Sequence, residues 1–295
     1  MPALAAFPKG FFTALVEGGM SLFQWIELAG QLDLDGVELY PRFFASLDPG
    51  YLRQVGQALT DNGLQMPMLC NSPDFTQLEA SVRAREVETT RRMIGLTAEL
   101  GGRYCRVLSG QNRPGLDAEE ALGWVIGALT SLVRDAEAAG VVLVIENHYK
   151  DGYWEHPEFA QRMDVFCDLV DRVGEHPNFG VNYDPSNTIL AGEDALELLR
   201  RVKQRVLTMH ASDRYLAEGA TLDDLRQADG TLGYSPDLRH GVTGRGLNDY
   251  DGIFRILAEH GYRGWVSIED GMNGMEEMAE SLAFLRRMSA KYFPA

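Results

Sequence analysis

The sequence predicts an α/β fold, a single (β/α)8 TIM barrel that takes in residues 1–295 as one domain. Three observations support this prediction. Short apolar runs of the kind that form buried parallel strands alternate eight times with amphipathic helical patterns. The length of 295 residues suits one such barrel, which typically needs about 250 residues. No GxGxxG sequence follows the first apolar run, so a dinucleotide-binding fold lacks its main signature.

The eight predicted strands are short and rich in Val, Ile, Leu and other apolar residues. A parallel strand that is buried on both faces has this composition. The strands are predicted at residues 4–7, 36–40, 64–69, 104–108, 141–146, 179–183, 206–210 and 265–269.

The predicted helices have apolar residues at a spacing of three to four, as in SLFQWIELAGQL and YDGIFRILAEHG. This spacing places the apolar residues on one buried face. Four of the helices end at a glycine that permits a left-handed cap, namely Gly63, Gly101, Gly140 and Gly261. The helices are predicted at residues 21–31, 49–62, 76–100, 118–139, 157–173, 193–202, 250–260 and 275–292.

One connection, residues 212–248 after the seventh strand, is unusually long. It contains six glycines, Pro236 and charged residues throughout. Loops of this length in a compact domain are usually functional or disordered. Because it would emerge at the face of the barrel that carries catalytic residues, we predict that it is a lid over the active site.

Composition and charge argue against several classes of protein. The net charge of −16 and the pI of about 4.8 disfavour nucleic acid and anionic membranes as partners, because both bind clustered Lys and Arg. No apolar run approaches the roughly 18 residues that a membrane span requires. The first residues lack the basic segment and apolar core of a signal peptide. Three widely spaced cysteines, Cys70, Cys105 and Cys167, suit reduced thiols and a cytoplasmic protein.

Four polar side chains stand at the ends of the last four predicted strands. They are Glu146 in VVLVIEN, Asp184 in FGVNYD, His210 in RVLTMH and Glu269 in GWVSIED. Strands five to eight are consecutive around a barrel, so these side chains can converge on one point. Three carboxylates and an imidazole at one point repel each other unless a positive charge lies between them. The pattern therefore predicts a divalent metal site, although each residue alone is equally typical of a helix cap or a salt bridge.

The types of ligand indicate which metal and which chemistry to expect. Oxygen ligands with one imidazole suit Mn²⁺ first, with Mg²⁺, Co²⁺ and Zn²⁺ as alternatives. A bound ion of this kind polarises a carbonyl or hydroxyl group and stabilises an enediolate. Glu146 and Glu269 would then be placed to exchange protons with adjacent carbons of the substrate.

The segments IENH, NYDPSN, MHASD and GYRGWVSIE together resemble the xylose isomerase-like superfamily of sugar phosphate isomerases and epimerases. The resemblance covers essentially the whole chain and implies the same barrel fold. It also implies that Glu146, Asp184, His210 and Glu269 are the metal ligands. By the same resemblance, Glu146 and Glu269 match the pair that moves the proton in ketose epimerases. The superfamily also includes inosose dehydratases, hydroxypyruvate isomerases and apurinic endonucleases.

The sequence departs from parts of that superfamily. Ketose epimerases have a histidine three residues after the strand-six aspartate, where this chain has Asn187. Their downstream arginine is not reproduced clearly, although Arg214 is near. Both positions are predicted to contact the substrate. The three-zinc site of the apurinic endonucleases needs many histidines, and this chain has six histidines and a strong negative charge.

A second resemblance lies in ENHYKDGYWEHPEFAQRMDVF, residues 146–166. This segment resembles the catalytic subunits of C-glycoside deglycosidases and related enzymes of 3-keto-glycosides. In those enzymes a metal-bound keto-sugar loses a proton and the aglycone leaves by elimination. The resemblance makes His148 a candidate base, because an imidazole titrates near neutrality. A hydrogen-bonding role in support of the ligands is the alternative for His148.

Further residues are predicted to contact a sugar, each with a plainer alternative. Lys150 and Trp154 follow Glu146 on the same loop and are otherwise a solvated lysine and a loop anchor. Glu38 ends the second strand and is otherwise structural, and Arg245 is otherwise a residue that pins its loop to a carboxylate. The remaining candidates are Asn71, Ser109, Gln111 and His240, whereas His156 and Glu158 are predicted to begin the following helix.

The sequence therefore predicts a cytoplasmic, divalent-metal-dependent sugar isomerase or epimerase that removes a proton beside a metal-bound carbonyl. The alternative is a lyase, either a deglycosidase of 3-keto-glycosides or a dehydratase of a keto-polyol. A carbohydrate-binding protein without catalysis is the alternative from another class. The expected partner is a small sugar or keto-sugar, with a homo-oligomer or a small partner subunit as the expected assembly.

Overall fold

A computed structural model of the protein describes residues 1–224 and 237–294. Its ten strands are β1 (Ala3–Ala6), β2 (Gly36–Val37), β3 (Met68–Cys70), β4 (Tyr104–Val107), β5 (Val142–Glu146), β6 (Phe179–Tyr183), β7 (Val206–Ala211), β8 (Arg214–Leu216), β9 (Leu238–His240) and β10 (Trp265–Ile268). Eight of these strands are parallel and follow the order β2-β1-β10-β7-β6-β5-β4-β3. Parallel bridges Gly36–Gln65 and Leu39–Leu69 join the two ends of this order. The predicted TIM barrel is confirmed.

The helices lie between the strands. They are α1 (Phe12–Glu17), α2 (Leu22–Ala29), α3 (Pro49–Asp61), α4 (Ala80–Glu99), α5 (Ala118–Ala139), α6 (Met163–Val173), α7 (Pro185–Leu190), α8 (Ala195–Val202), α9 (Tyr250–Glu259) and α10 (Met275–Tyr292). Ser21 and Gln24 form a capping box at the start of α2. Gly140 ends α5 in the left-handed conformation at φ 71°, as its sequence position predicts. Among the described helices, none is long and apolar enough to cross a membrane.

Burial explains why the central strands form a closed layer. All five residues of β5 are buried, and so are all five of β6, as expected for strands covered on both faces. On α2, Trp25 is fully buried and its ring lies 5.6 Å from that of Phe11. Each such apolar side chain contributes about 1.5–3 kcal/mol to folding through its burial. The inner barrel is thus a packed core, and polar residues gather at its carboxyl end.

The predicted start of the helix that corresponds to α6 is wrong. The sequence places that start at 157, with His156 and Glu158 in its first turn, whereas α6 begins at Met163. Glu158 is instead buried, and its Oε1 accepts hydrogen bonds from the Ser109 N–H at 2.7 Å and the Ser109 hydroxyl at 2.5 Å. This long-range contact ties Glu158 to the chain that follows β4, and residues 155–160 form bends, a single bridge to Gln111 and a turn in place of the predicted helix.

The long connection after β7 is held at its base by one carboxylate. Strands β8 and β9 form an antiparallel ribbon within it, pairing Arg214 with His240. Asp213 accepts hydrogen bonds from the N–H groups of Gly244 at 2.9 Å and Gly246 at 2.8 Å, and of Asn248 at 3.1 Å. Residues 225–236, the middle of the predicted lid, lie outside the described residues. The lid therefore stays a prediction, with a base that is well anchored.

Candidate active site

The four strand-end residues converge at the carboxyl end of the barrel. Glu146 ends β5, Asp184 follows β6, His210 lies in β7 and Glu269 follows β10, and all four are buried. Each offers one ligand atom, and these atoms all lie within 4.8 Å of one another. The convergence follows from the sheet order, because β5, β6, β7 and β10 are successive neighbours. We call these residues the four-residue cluster.

The imidazole of His210 connects the cluster to a buried acid behind it. Its Nδ1 lies 3.2 Å from both Glu146 Oε1 and Glu269 Oε2, while its Nε2 lies 2.8 Å from Glu38 Oε2. Glu38 also accepts a hydrogen bond from the Cys70 thiol at 3.3 Å. A carboxylate that bonds to one nitrogen of a histidine fixes the orientation of the ring and leaves the other nitrogen to bind a metal ion. Glu38 therefore lies behind the cluster. This position fits the structural role that the sequence analysis gave as the alternative to a sugar contact.

Asp184 is positioned by the helix that it begins. It is the N-cap of α7, with Pro185 in the first turn, and its Oδ1 accepts hydrogen bonds from the N–H groups of Ser186 at 2.7 Å and Asn187 at 3.2 Å. The hydroxyl of Ser212 donates a third bond at 2.9 Å. The other oxygen, Oδ2, takes part in none of these bonds, so the cap leaves it for the centre of the cluster.

Burial and mutual repulsion shift the ionisation of the cluster. Burial, together with the charges of Glu269 and Glu146, raises the pKa of Asp184 to about 7. Burial also works to raise the pKa of Glu146, but the charges of His210 and Arg106 outweigh it and hold that pKa below its usual value. In the same way, Glu38 and the other carboxylates outweigh burial and keep the pKa of His210 well above its usual value. The carboxylates are thus compensated by positive charges from their surroundings.

Two of those positive charges were not found from the sequence. Lys9 Nζ lies 2.9 Å from Glu269 Oε1, and Arg106 Nε lies 3.2 Å from Glu146 Oε2. The second contact is an ion pair outside hydrogen-bond geometry, since both of its atoms are buried without a hydrogen-bond partner. Arg106 stands inside an apolar strand, which is a readable signal because a buried arginine needs a buried acid. Lys9 gives no such signal, because its partner is 260 residues away along the chain.

A cavity of about 230 Å³ opens beside Glu269. Its lining includes the apolar or aromatic side chains of Phe7, Phe12, Tyr40, Tyr149 and Met272, and the polar side chains of Lys9, Arg106, His148, Lys150, Asp151 and Glu269. A larger cavity of about 570 Å³ lies outside the barrel between α5 and α6 and is lined by none of the four-residue cluster. The smaller cavity is the candidate active site because the titratable groups face it.

His148 is one of the residues that line this cavity. Its Nδ1 is buried without a hydrogen-bond partner in the described structure, and its ring stacks on that of Tyr149 at 5.5 Å. Burial lowers the pKa of His148 to about 4, so the ring is neutral at neutral pH. A neutral imidazole with an unengaged nitrogen is able to accept a proton or a hydrogen bond from a ligand.

Three other predicted substrate contacts lie beside the cluster or the residues that line the cavity. The side-chain amide of Asn187 donates to Glu146 Oε1 at 3.2 Å, so it supports a predicted ligand. Arg214 is buried, and its guanidinium lies 5.6 Å from the centre of the Tyr149 ring. Lys150 reaches the edge of the cavity and donates to the carbonyl of Glu155 at 3.0 Å.

The remaining predicted contacts have interaction partners outside the four-residue cluster or lie on the loop after β5. Asn71 donates to the Thr90 hydroxyl at 3.2 Å, and Trp154 is half-buried on the loop that follows β5. The His240 Nδ1 lies 3.3 Å from Asp270 Oδ1, and burial lowers the pKa of His240 to about 2. Arg245 is largely exposed and pairs with Glu280 of α10 at 2.9 Å, which is the loop-pinning position.

Ser109 and Gln111 turn away from the cavity. Ser109 bonds to Glu158, and the Gln111 side chain donates to Asp74 Oδ2 at 2.8 Å. The Gln111 side-chain oxygen accepts from the N–H groups of Glu155 at 2.9 Å and His156 at 3.0 Å. Both side chains therefore anchor the loop that carries His148 and are not part of the cavity wall.

Comparison with known proteins agrees with this fold. A family model described as the xylose isomerase-like TIM barrel matches residues 26–288. Inosose dehydratase from Clostridium beijerinckii is 25% identical over 154 residues, which cover 51% of this chain and 47% of that protein. The chain thus aligns with about half the length of the curated relatives that it matches.

Solved structures with the same fold are similar over nearly their whole length. The xylose isomerase domain protein from Planctomyces limnophilus has a TM-score of 0.73 at 18% identity, covering 100% of this chain and 99% of that one. The 3-keto-D-glucoside 4-epimerase from E. coli has a TM-score of 0.67 at 16% identity, covering 97% and 100%. At these identities the likeness shows the fold alone, whereas the family model covers most of the sequence. The chain belongs to the xylose isomerase-like TIM barrel family.

Proposed function

We propose that this protein is a divalent-metal-dependent enzyme that removes a proton beside a carbonyl group of a sugar or keto-polyol. The observation that carries the proposal is the four-residue cluster, with its ligand atoms within 4.8 Å of one another at the edge of a 230 Å³ cavity. Return of the proton makes the reaction an isomerisation or epimerisation. The family and its sugar-epimerase structures support this reaction as the first candidate.

The residues of the cluster fit a divalent ion. His210 Nδ1 lies 3.2 Å from both Glu146 Oε1 and Glu269 Oε2, and each of the four residues, Asp184 included, offers one ligand atom within 4.8 Å of the others. Glu146, Asp184, His210 and Glu269 would hold the ion, and Mn²⁺ is the first choice for three oxygen donors and one imidazole. When bound, the ion supplies positive charge that polarises the substrate carbonyl.

The chain itself supplies orientation and a proton acceptor. Glu38 holds the His210 ring, and the α7 N-terminus holds Asp184, so the cluster is fixed before any ligand arrives. Phe7, Phe12 and other apolar residues of the lining limit the access of water to the cavity. His148, which also lines the cavity, is the proposed proton acceptor because its Nδ1 has no hydrogen-bond partner among the described residues. Its alternative role is to hold a substrate hydroxyl by a hydrogen bond.

One observation favours a second candidate, an elimination in which the carbon does not recover its proton. In ketose epimerases, two glutamates exchange the proton, and here each corresponding glutamate has one oxygen beside a cation. Lys9 covers Glu269 Oε1 and Arg106 faces Glu146 Oε2. A single acceptor, His148, suits elimination from a keto-polyol or a 3-keto-glycoside. The match to inosose dehydratases, in half of their length, supports the same alternative.

Exchange of substrate hydrogen with deuterated solvent tests the proposal before the product is known. Protein stripped with a chelator and reloaded with Mn²⁺ is incubated in D2O with a 3-keto-glucoside, an inosose and free ketoses, and NMR follows deuterium at the carbon beside the carbonyl. We expect exchange that needs Mn²⁺ and that falls at least about 1,000-fold in Glu146→Gln and Glu269→Gln. Glu79→Gln changes an exposed glutamate and serves as the matched control.

The outcomes separate the candidate functions. Deuterium at the carbon beside the carbonyl, with recovery of a stereoisomer, identifies an epimerase. Loss of the hydrogen from that carbon together with a hydroxyl or an aglycone identifies a lyase. Sugar binding without exchange on any of these compounds identifies the carbohydrate-binding alternative. Full exchange in the presence of chelator, or in both glutamine variants, contradicts the proposal. The cytoplasmic location, the homo-oligomer and the partner subunit stay predictions, and sizing of the purified protein tests the last two.

A further inference from the structure

Lys9 is fixed by the backbone next to the last predicted ligand. It begins the 3-10 turn Lys9–Phe11 that follows β1, and β1 pairs with β10, which precedes Glu269. The N–H of Phe7 donates to the carbonyl of Ile268 at 2.8 Å. At Gly10, an added Cβ would lie 2.2 Å from the carbonyl oxygen of Gly271, so the two loops are in direct contact. The position of the Lys9 ammonium near Glu269 is therefore built into the fold.

The two glutamates of the cluster share one arrangement of charges. Each has one oxygen 3.2 Å from His210 Nδ1 and its other oxygen against a basic side chain. For Glu269 this second oxygen meets Lys9 at 2.9 Å, and for Glu146 it meets Arg106 at 3.2 Å. One oxygen of each carboxylate thus faces the centre of the cluster, and the other faces a permanent cation.

We propose that Lys9 is a built-in counter-cation, which holds the cluster together in the metal-free protein and lowers its affinity for a divalent ion. This inference rests on the metal site of the proposed function. Three buried carboxylates repel each other when no ion is bound, and the ammonium offsets that repulsion at Glu269. When an ion is bound, the same ammonium repels it. Both effects weaken net binding, so the metal is exchangeable and the chain folds without it.

Replacing Lys9 with methionine removes both effects, and the loss of each one strengthens Mn²⁺ binding. Methionine is unbranched and keeps most of the apolar stem, and the Lys9 side chain is 23% exposed, so the variant can fold. Without the ammonium, the metal-free cluster is less stable and the metal-bound cluster is relieved of repulsion. Partial exposure screens the charge, and we expect Mn²⁺ to bind about tenfold more tightly than to the natural protein.

The experiment is a Mn²⁺ titration of chelator-stripped protein by calorimetry, with thermal unfolding measured with and without Mn²⁺. Lys9→Arg keeps the charge and should bind Mn²⁺ like the natural protein. Lys150→Met removes a lysine at the same cavity whose Nζ bonds to a backbone carbonyl, and it should leave the Mn²⁺ affinity nearly unchanged. Lys9→Met should melt lower than Lys9→Arg without metal and show the larger rise in Tm when Mn²⁺ is added.

The result that overturns the inference is Mn²⁺ affinity in Lys9→Met equal to or weaker than that of the natural protein. Equal Tm values for Lys9→Met and Lys9→Arg in the metal-free state also overturn it. If the natural protein and all three variants bind no Mn²⁺, the metal site of the proposed function fails as well. A failure confined to Lys9→Met leaves that metal site standing.

Discussion

The two halves of the barrel mouth differ in what they supply. The half formed by β5, β6, β7 and β10 carries the four-residue cluster at its strand ends. The half formed by β1, β2, β3 and β4 carries Lys9, Glu38, Cys70 and Arg106, none of which belongs to that cluster. We call these the ligand half and the supporting half. The ligand half gathers donors at one point, and the supporting half orients them and offsets their charge.

This division explains why the cluster can be buried at all. Carboxylates that are packed together without compensation would take up protons or separate. Here Glu38 holds the far side of His210, while Lys9 and Arg106 each meet one glutamate. The charge balance of the site therefore depends on contacts between the ligand half and the supporting half. Substitutions in the two halves should change stability and Mn²⁺ binding to different degrees.

The largest effect is expected for His210→Ala, which removes the link between the two halves. Glu38, Glu146 and Glu269 each lose a partner inside the barrel, and breaking such a buried pair costs about 3–5 kcal/mol. We expect the free energy of unfolding in urea to fall by this amount and Mn²⁺ binding to disappear. His260→Ala, at an exposed position, should change the unfolding free energy by less than about 0.5 kcal/mol. If His210→Ala is as stable as the natural protein, His210 does not link the two halves energetically.

A smaller effect is expected for Glu38→Gln in the supporting half. Glutamine still accepts a hydrogen bond from the far nitrogen of His210 but lacks the charge that polarises the ring. Loss of such an outer partner typically weakens metal binding about 10–100-fold. Competition with a chelator of known affinity measures the change, and Glu99→Gln on the surface of α4 is the control. Unchanged affinity would mean that the supporting half does not tune the ligand half.

The contact between the halves near Lys9 is tested by a pair of glycine variants. Gly10→Ala places a methyl group 2.2 Å from the Gly271 carbonyl oxygen, and we expect a loss of about 1–3 kcal/mol as the loops shift. Gly56→Ala lies in α3 with nothing within 4 Å of the added methyl. It should stabilise the protein by up to about 1 kcal/mol, because alanine favours a helix. Opposite signs in urea unfolding are predicted, and a harmless Gly10→Ala would show that the loops are loosely packed.

Glu158 offers a contrast, because among the described residues this buried carboxyl has only Ser109 as its hydrogen-bond partner. Burial raises its pKa from about 4.5 to about 8, so between these values the folded protein holds a proton that the unfolded chain releases. Its contribution to stability is complete below pH 4.5 and is lost as the pH rises through 8.

Glu158→Gln keeps an oxygen that accepts both bonds from Ser109 and removes the titration. Relative to the natural protein, the variant should therefore gain stability between pH 5 and pH 8. Urea unfolding at both pH values measures the difference. A difference that is the same at pH 5 and pH 8 would contradict the raised pKa.

The same two halves mark how far the sequence could be interpreted. The ligand half was predictable because each donor stands at the end of a continuous apolar run, where position along the strand determines position at the mouth. Asp184–Pro185 is also a signal for the start of α7, because an N-cap aspartate followed by proline is typical of a helix start. That short helix was not predicted from the sequence. The fold was predictable from the alternation of such apolar runs with amphipathic helical patterns.

In the supporting half, Lys9 was not predictable in the same way. Lys9 precedes its partner Glu269 by 260 residues, and only the β1–β10 pairing brings them together. Glu158 was assigned to a helix because its contact with Ser109 cannot be inferred from local sequence. Partners that depend on pairing between distant segments need the three-dimensional structure.

The decisive measurement is the metal content and Mn²⁺ affinity of the natural protein beside Glu146→Gln and Glu269→Gln. Protein purified without chelator is analysed for metals, then stripped and titrated with Mn²⁺ by calorimetry. The four-residue cluster predicts one divalent ion per chain in the natural protein and binding at least about 100-fold weaker in each variant. A metal centre at the barrel mouth would be contradicted if the natural protein holds no ion before or after titration. It would also be contradicted if both variants bind Mn²⁺ as tightly as the natural protein.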